Sequence, residues 1–108
     1  MLLKIERSFD EAKNHWNVKV QGEADISNAP EFRQALNAIY QEKAADIWIF
    51  LQDLLYMDST GLGVIIGACG RMRSTGHEIV LCNPRDNVKK LLSITNLDRI
   101  LHIENTEN

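Results

Sequence analysis

The residues able to do chemistry concentrate in one short stretch, Asp58-Ser59-Thr60-Gly61-Leu62-Gly63. An apolar run, Ile47-Trp48-Ile49-Phe50-Leu51, leads towards it, and an apolar-periodic segment from Leu62 to Met72 leaves it. A polar step between a strand pattern and a helix pattern puts Asp58, Ser59 and Thr60 at a helix N-terminus. There the first backbone N–H groups have no intrahelical partner and the dipole favours negative charge. A hydroxyl at such a point can cap the helix, or it can carry a phosphate that the helix end tolerates. Taken alone, capping is the commoner role for Ser59. Asp25 ends the second strand pattern and is a candidate to join this group, since strand ends and helix starts gather at one edge of an α/β sheet.

Other chemistries find little support. His15, His77 and His102 lie in different segments, with no i, i+4 pair and no carboxylate at ligand spacing, so no metal site is expected. Ser59 is not in a Gly-x-Ser-x-Gly elbow and no histidine stands out as its base. No catalytic residue and no cofactor is assigned. Gly61-x-Gly63-x-x-x-Gly67 follows a strand pattern and opens a helix, but the dinucleotide fingerprint needs its third glycine where this chain has Ile66. No Gly-Lys-Ser/Thr is present. Nucleotide or small-molecule binding through Gly61 to Gly67 is kept as a lesser alternative.

The elements that must position these residues are legible in the hydropathy pattern. Leu3 and Ile5 alternate with Lys4 and Glu6, and Trp16, Val18 and Val20 alternate with Asn17, Lys19 and Gln21, which is the mark of strands with one wet face. The polar turn Asp10 to Asn14 makes them a hairpin. After Gly22-Glu23-Ala24-Asp25 breaks the alternation, a helix is expected, capped by Asn28 with Glu31 three residues on and Pro30 in its first turn. Ala29, Phe32, Leu36 and Ile39 form its apolar face. Ile47 to Leu51, continuously apolar, reads as a central strand.

The helix after Thr60 should bury Leu62, Ile65, Ile66, Cys69 and Met72, with Val64 off that stripe. A second line on it holds Thr60, Gly63, Gly67, Gly70 and Ser74. Three interior glycines cost about 3 kcal/mol relative to alanine, which calls for close packing on a neighbouring backbone, the favoured explanation, or for an approaching partner. Gly76 closes this helix, Glu78 to Cys82 reads as a strand, and Asn83-Pro84 opens a third helix with Val88, Leu91 and Leu92 inward and Lys89 and Lys90 outward. Arg99 to Ile103 reads as a last strand and Glu104 to Asn108 as a frayed tail. The expected order is β-β-α-β-α-β-α-β, an α/β single domain over residues 1–108. Its sheet is mixed, with helices mainly on one face.

Composition is that of an ordinary globular chain, 44% hydrophobic and 25% charged. Twelve Lys and Arg against fifteen Asp and Glu give a net charge of −3 with no basic run, which argues against nucleic acid as a partner. Two cysteines, Cys69 and Cys82, read as buried thiols in a reducing compartment. No leader and no apolar run near ~18 residues is seen, so no membrane span and a cytoplasmic location are expected.

The central stretch, preceded by an apolar strand and Leu54-Leu55-Tyr56-Met57, closely resembles the signature of bacterial anti-sigma factor antagonists, which are STAS-domain proteins. Gly22-Glu23-Ala24-Asp25 resembles the family's Gly-Glu-x-Asp. Asn83-Pro84, Val88, Leu91-Leu92 and Leu97-Asp98-Arg99-Ile100 resemble its third-helix region. The chain stops soon after its last strand, so the family's C-terminal helix is expected to be short or missing. The resemblance implies a STAS-like fold and a binding protein rather than an enzyme. It implies that an anti-sigma factor, itself a serine kinase, phosphorylates Ser59, and that a serine phosphatase reverses this. It also implies that Asp25 lies near the phosphosite and serves partner recognition. With Asp25, the partner-binding surface is expected at Asp58, Ser59, Thr60, Gly61, Leu62, Gly63, Val64 and Gly67. A rival within the family is a STAS scaffold or regulatory subunit that binds another ATPase, in a lipid-transport or signalling complex.

Overall fold

The computed structural model describes residues 2–106. Along them run β1 (Leu3–Asp10), β2 (His15–Ala24), α1 (Ala29–Glu42), β3 (Asp46–Phe50), β4 (Leu54–Met57), α2 (Ser59–Arg73), β5 (Ile79–Cys82), α3 (Asp86–Ile94) and β6 (His102–Glu104), with a 3-10 turn at Leu97–Arg99. The sheet order is β1-β2-β3-β5-β6, and β4 pairs with the far end of β2. β1 and β2 form the expected antiparallel hairpin; every other pairing is parallel. The sheet is therefore mixed.

Register explains why the helices share one face. Trp16 and Val18 of β2 lie abreast of Ile47 and Ile49 of β3, which lie abreast of Ile79 and Leu81 of β5. This row meets Phe32, Leu36 and Ile39 of α1, Leu62 and Ile65 of α2, and Val88 and Leu92 of α3 in a single buried cluster. Each such side chain contributes about 1.5–3 kcal/mol on full burial. The alternate positions Asn17, Lys19, Trp48 and Phe50 point to the other face and are half-buried or exposed. Cys69 and Cys82 are buried and free, and burial, aided by Glu104, pushes the Cys82 thiol up to about 11.

Several local expectations are corrected. Leu54–Met57 is a strand of its own, so the order is β-β-α-β-β-α-β-α-β. Its burial runs buried, exposed, exposed, buried, which gives no period-two signal. β2 does not stop at Gly22. It continues to Ala24 through a register shift at Gly22/Glu23, where its partner changes from β3 to β4. Gly22 has φ +99°, and a Cβ there would stand 2.2 Å from the Leu2 carbonyl oxygen.

Asn28 makes no cap bond at α1. Its buried side chain accepts from Asp25 N at 3.0 Å and donates to the Glu23 carbonyl at 2.9 Å, tying the β2–α1 loop. Asn83 does not cap α3 either, since Arg85 holds the N-cap position. Asn83 instead takes a left-handed φ of 56° and bonds Thr106 through both ends of its amide. The last strand begins at His102, because Leu97–Arg99 forms the 3-10 turn. Of the expected tail, Glu104 belongs to β6 and Thr106 is tied to Asn83, while Glu107 and Asn108 lie outside the described residues.

On α2 the buried arc is rotated towards α1, against which this helix also packs. Val64 and Ala68 are buried with Leu62, Ile65, Cys69 and Met72. Val64 is 2% exposed, whereas Ile66, expected inside, is 39% exposed.

Candidate functional site

The end of β4 and the start of α2 bring the polar stretch to the edge where β2 finishes. Asp58 occupies the N-cap of α2 with extended backbone, and its Oδ1 accepts from Gly61 N at 2.9 Å. Its Oδ2 accepts from Ile26 N at 3.2 Å, and its own N–H donates to the Ala24 carbonyl at 3.2 Å. One carboxylate thus satisfies an orphan amide of the helix and fastens the β2–α1 loop against it.

Gly61 makes this closeness possible. A Cβ on it would lie 2.6 Å from the Ala24 carbonyl oxygen and 3.1 Å from the Ala24 Cβ. The backbone of β2 therefore leaves no room for any side chain at this helix position.

With the cap supplied by Asp58, Ser59 is released from that duty. It is the first residue of α2, it is exposed, and its hydroxyl makes no hydrogen bond among the described residues. Thr60 beside it is half-buried. Asp25 sits on the loop that Asp58 fastens, next to Ile26. Its Oδ1 accepts from the Ser27 hydroxyl and from Ser27 N at 2.9 Å. The bond from the Ser27 hydroxyl is the main reason its carboxyl is held below the ordinary 3.8, against an opposing effect of desolvation. Asp25 thus stands one residue from the Ile26 amide that Asp58 holds, at the edge where Ser59 and Thr60 open α2.

The other expected contact residues separate into two groups. Leu62 and Val64 are buried in the core and present no surface. Gly63 is exposed and Gly67 half-buried, on the outer side of α2. A Cβ at Gly63 or Gly70 would meet nothing within 4 Å, and one at Gly67 would meet only the flexible end of Arg71 at 3.3 Å. Close packing within the chain therefore does not account for these three glycines. Ser59, Gly63, Ile66 and Gly70 follow one another at helical spacing along the exposed side of α2. All of the glycines from 61 to 67 lie inside the helix rather than in a phosphate-cradling loop.

What lies on the far side of Ser59 is not legible in the hydropathy pattern. Tyr56 and Met57 of β4, Ser59 of α2, and Asn87, Lys90 and Ile94 of α3 line a shallow hollow of about 420 Å³. Asn87 Nδ2 donates to the Leu55 carbonyl at 2.7 Å and pins α3 to β4. Leu55, Tyr56 and Ile94 are exposed, Ile94 by 69%. Lys90 and Ile94 share one side of α3 by their i, i+4 spacing, but nothing in the sequence says that this helix borders β4. Among the described residues no group of three His, Cys, Asp or Glu side chains converges as a metal site, and no helix is long and apolar enough to cross a membrane.

A mixed sheet with helices on one face, and an acid-capped helix that presents an exposed serine, define a small α/β domain. A profile of the STAS domain matches residues 7–108, and the chain belongs to the STAS-domain family. It is 33% identical over 108 residues to an anti-sigma-B factor antagonist of Staphylococcus aureus (strain NCTC 8325 / PS 47), covering 99% of this chain and 98% of that one. A putative anti-sigma factor antagonist of Thermotoga maritima superposes with a TM-score of 0.86 at 29% identity, over 95% of this chain and 87% of that chain. The anti-sigma factor antagonist SpoIIAA, in its unphosphorylated form, has the same fold (TM-score 0.78, 20% identity, 99% of this chain and 90% of that chain).

Proposed function

We propose that this chain is an anti-sigma factor antagonist whose binding is switched by phosphorylation of Ser59. In the unmodified state the Asp25–Asp58–Ser59–Thr60 edge and the outer line of α2 dock onto an anti-sigma factor that is itself a serine kinase. The sigma factor is thereby released. The kinase transfers the γ-phosphoryl group of ATP to Ser59 Oγ, which gives up its proton as ADP leaves, and the complex separates. A serine phosphatase restores the binding form. The chain acts as kinase substrate and ligand, in the cytoplasm where such partners work.

One observation carries this reading: Asp58, and not Ser59, caps α2, which leaves the Ser59 hydroxyl free and exposed at a helix N-terminus. Phosphate suits that position, because the helix dipole favours negative charge by about 0.3–1 kcal/mol. The fold therefore tolerates the modification. A docked partner does not: a misplaced like charge at about 4 Å costs about 1–4 kcal/mol, depending on screening. At 1.4 kcal/mol per decade this weakens binding by about 10- to 1,000-fold. Gly63, Gly67 and Gly70 support the same surface, since their helical penalty has no offset inside the chain and an approaching partner supplies one.

The test is capture from source cells by the wild type, Ser59→Ala and Ser59→Asp, with captured proteins identified by mass spectrometry. Capture of a serine kinase of the anti-sigma type by the first two and not by the third is expected. Capture of a transport ATPase, indifferent to residue 59, overturns the sigma reading in favour of a scaffold subunit. Tight binding of a free nucleotide by the purified chain points instead to a ligand-binding domain.

A further inference from the structure

We propose that Lys90 is the internal counter-ion of phosphorylated Ser59, drawing the phosphate across the hollow between α2 and α3. The inference rests on the reading of Ser59 as a phosphosite and names how the modified state is held. Ser59 and Lys90 stand on opposite elements that border the same hollow, Ser59 opening α2 and Lys90 projecting from α3. Lys90 is exposed, and among the described residues it makes no hydrogen bond or ion pair. By contrast the Arg7 side chain is committed to Glu42, Arg71 to Asn37 and Arg85 to the Gln52 carbonyl.

Two carboxylates stand close enough to compete for this lysine, Asp58 at the hollow's edge and Asp86 one turn earlier on α3, and neither is ion-paired with it among the described residues. Asp58, from the β4–α2 junction, is oriented by accepting from Gly61 N with one oxygen and from Ile26 N with the other, and a phosphate of about −1.5 to −2 charge is the stronger partner for Lys90 than either single carboxylate. Met57 and Leu91 supply apolar lining beside the two side chains, and a pair between the exposed Ser59 phosphate and the exposed Lys90 is of the surface type. The position of α3 is fixed by Asn87 on the Leu55 carbonyl, so Lys90 is delivered by a pinned helix. A pair formed there holds the phosphate on the α3 side of Ser59.

The experiment uses the full chain with phosphoserine incorporated at position 59 during translation, so it needs no kinase. The second ionisation of the phosphate is followed by phosphorus NMR in the otherwise wild-type chain and in Lys90→Gln, Lys90→Arg and Lys89→Gln. Lys89 is the control: it is exposed and makes the same charge change, but it does not border the hollow. Removing a charge partner of surface type should raise the phosphate's second pKa, ordinarily about 6, by about 0.2–0.7 in Lys90→Gln. Lys90→Arg should stay with the wild type, and Lys89→Gln should move it less than Lys90→Gln does. Equal displacement by the two glutamine variants, or none by either, overturns the proposal. Absence of any kinase that modifies Ser59 would count against the proposed function and leave this titration intact.

Discussion

The N-cap of α2 falls to Asp58 and not to Ser59, a choice the sequence leaves open. Aspartate and serine are nearly equal as N-caps, so the order Asp-Ser-Thr locates a helix start without saying which side chain is consumed by it. The fold decides, because only Asp58 also reaches Ile26 N across the loop. Replacing Asp58 by Ala should therefore destabilise the protein by about 1–2 kcal/mol, the upper part of the range for a lost cap. Ser59→Ala should change stability by less than about 0.5 kcal/mol. Urea unfolding of both variants checks the pair, and an equal loss would mean that Ser59 shares the cap. Gly61→Ala should cost about 1–3 kcal/mol, because the added methyl meets the Ala24 backbone rather than a side chain that can turn away.

At the scale of elements, α2 has one side in the core and one side almost bare. The bare side makes two predictions that pull apart. Gly63→Ala and Gly70→Ala add a methyl into open space, so each should stabilise the helix by about 0.5–1 kcal/mol. Gly63→Leu or Gly67→Leu should fold normally and lose partner binding, as read by thermal unfolding and capture of the kinase side by side. Equal loss of folding and binding would count against the docking surface.

The elements themselves were unevenly legible. Strands with one wet face and the four-point apolar stripe of α1 show directly in the hydropathy. β4 does not, because its four residues do not alternate. Ile66 and Val64 exchanged places because α2 packs against α1 as well as the sheet, which turns its buried arc by a direction that no single-helix pattern contains. Asn83-Pro84 has the composition of a helix start, but Asn83 is taken by Thr106, a contact spanning 23 residues.

For the molecule as a whole, the chain order was readable except for β4, and of the adjacencies the β1–β2 hairpin was readable while the meeting of α3 with β4 was not. The hollow beside Ser59 exists because α3 returns to β4, and that meeting depends on the parallel crossovers rather than on any local signal. The same return brings β6 to the sheet edge, where His102 stands between two carboxylates. Its Nδ1 is 3.1 Å from Glu78 and its Nε2 is 3.3 Å from Glu104. Both nitrogens can donate only in the charged imidazolium, and the bond to Glu78 is the largest cause of a pKa raised above the ordinary 6.5. A folded value above the unfolded one means that this contribution is complete below about pH 6.5 and fades as pH rises through the raised value. The urea midpoint of the wild type should thus fall between about pH 6 and 8 more than that of His102→Gln. Parallel profiles would show that the exposed cluster adds nothing to stability.

The proposed phosphorylation belongs to this scale too, since it would move the net charge from −3 to about −5. The fold is expected to stay, and the partner to leave. The most direct test is the affinity of purified anti-sigma factor for the unmodified chain and for the chain carrying phosphoserine at position 59, measured by calorimetry at constant ionic strength. The account predicts binding of the unmodified form and a loss of about 10- to 1,000-fold on phosphorylation, at unchanged thermal stability. Equal affinities for the two forms would contradict it.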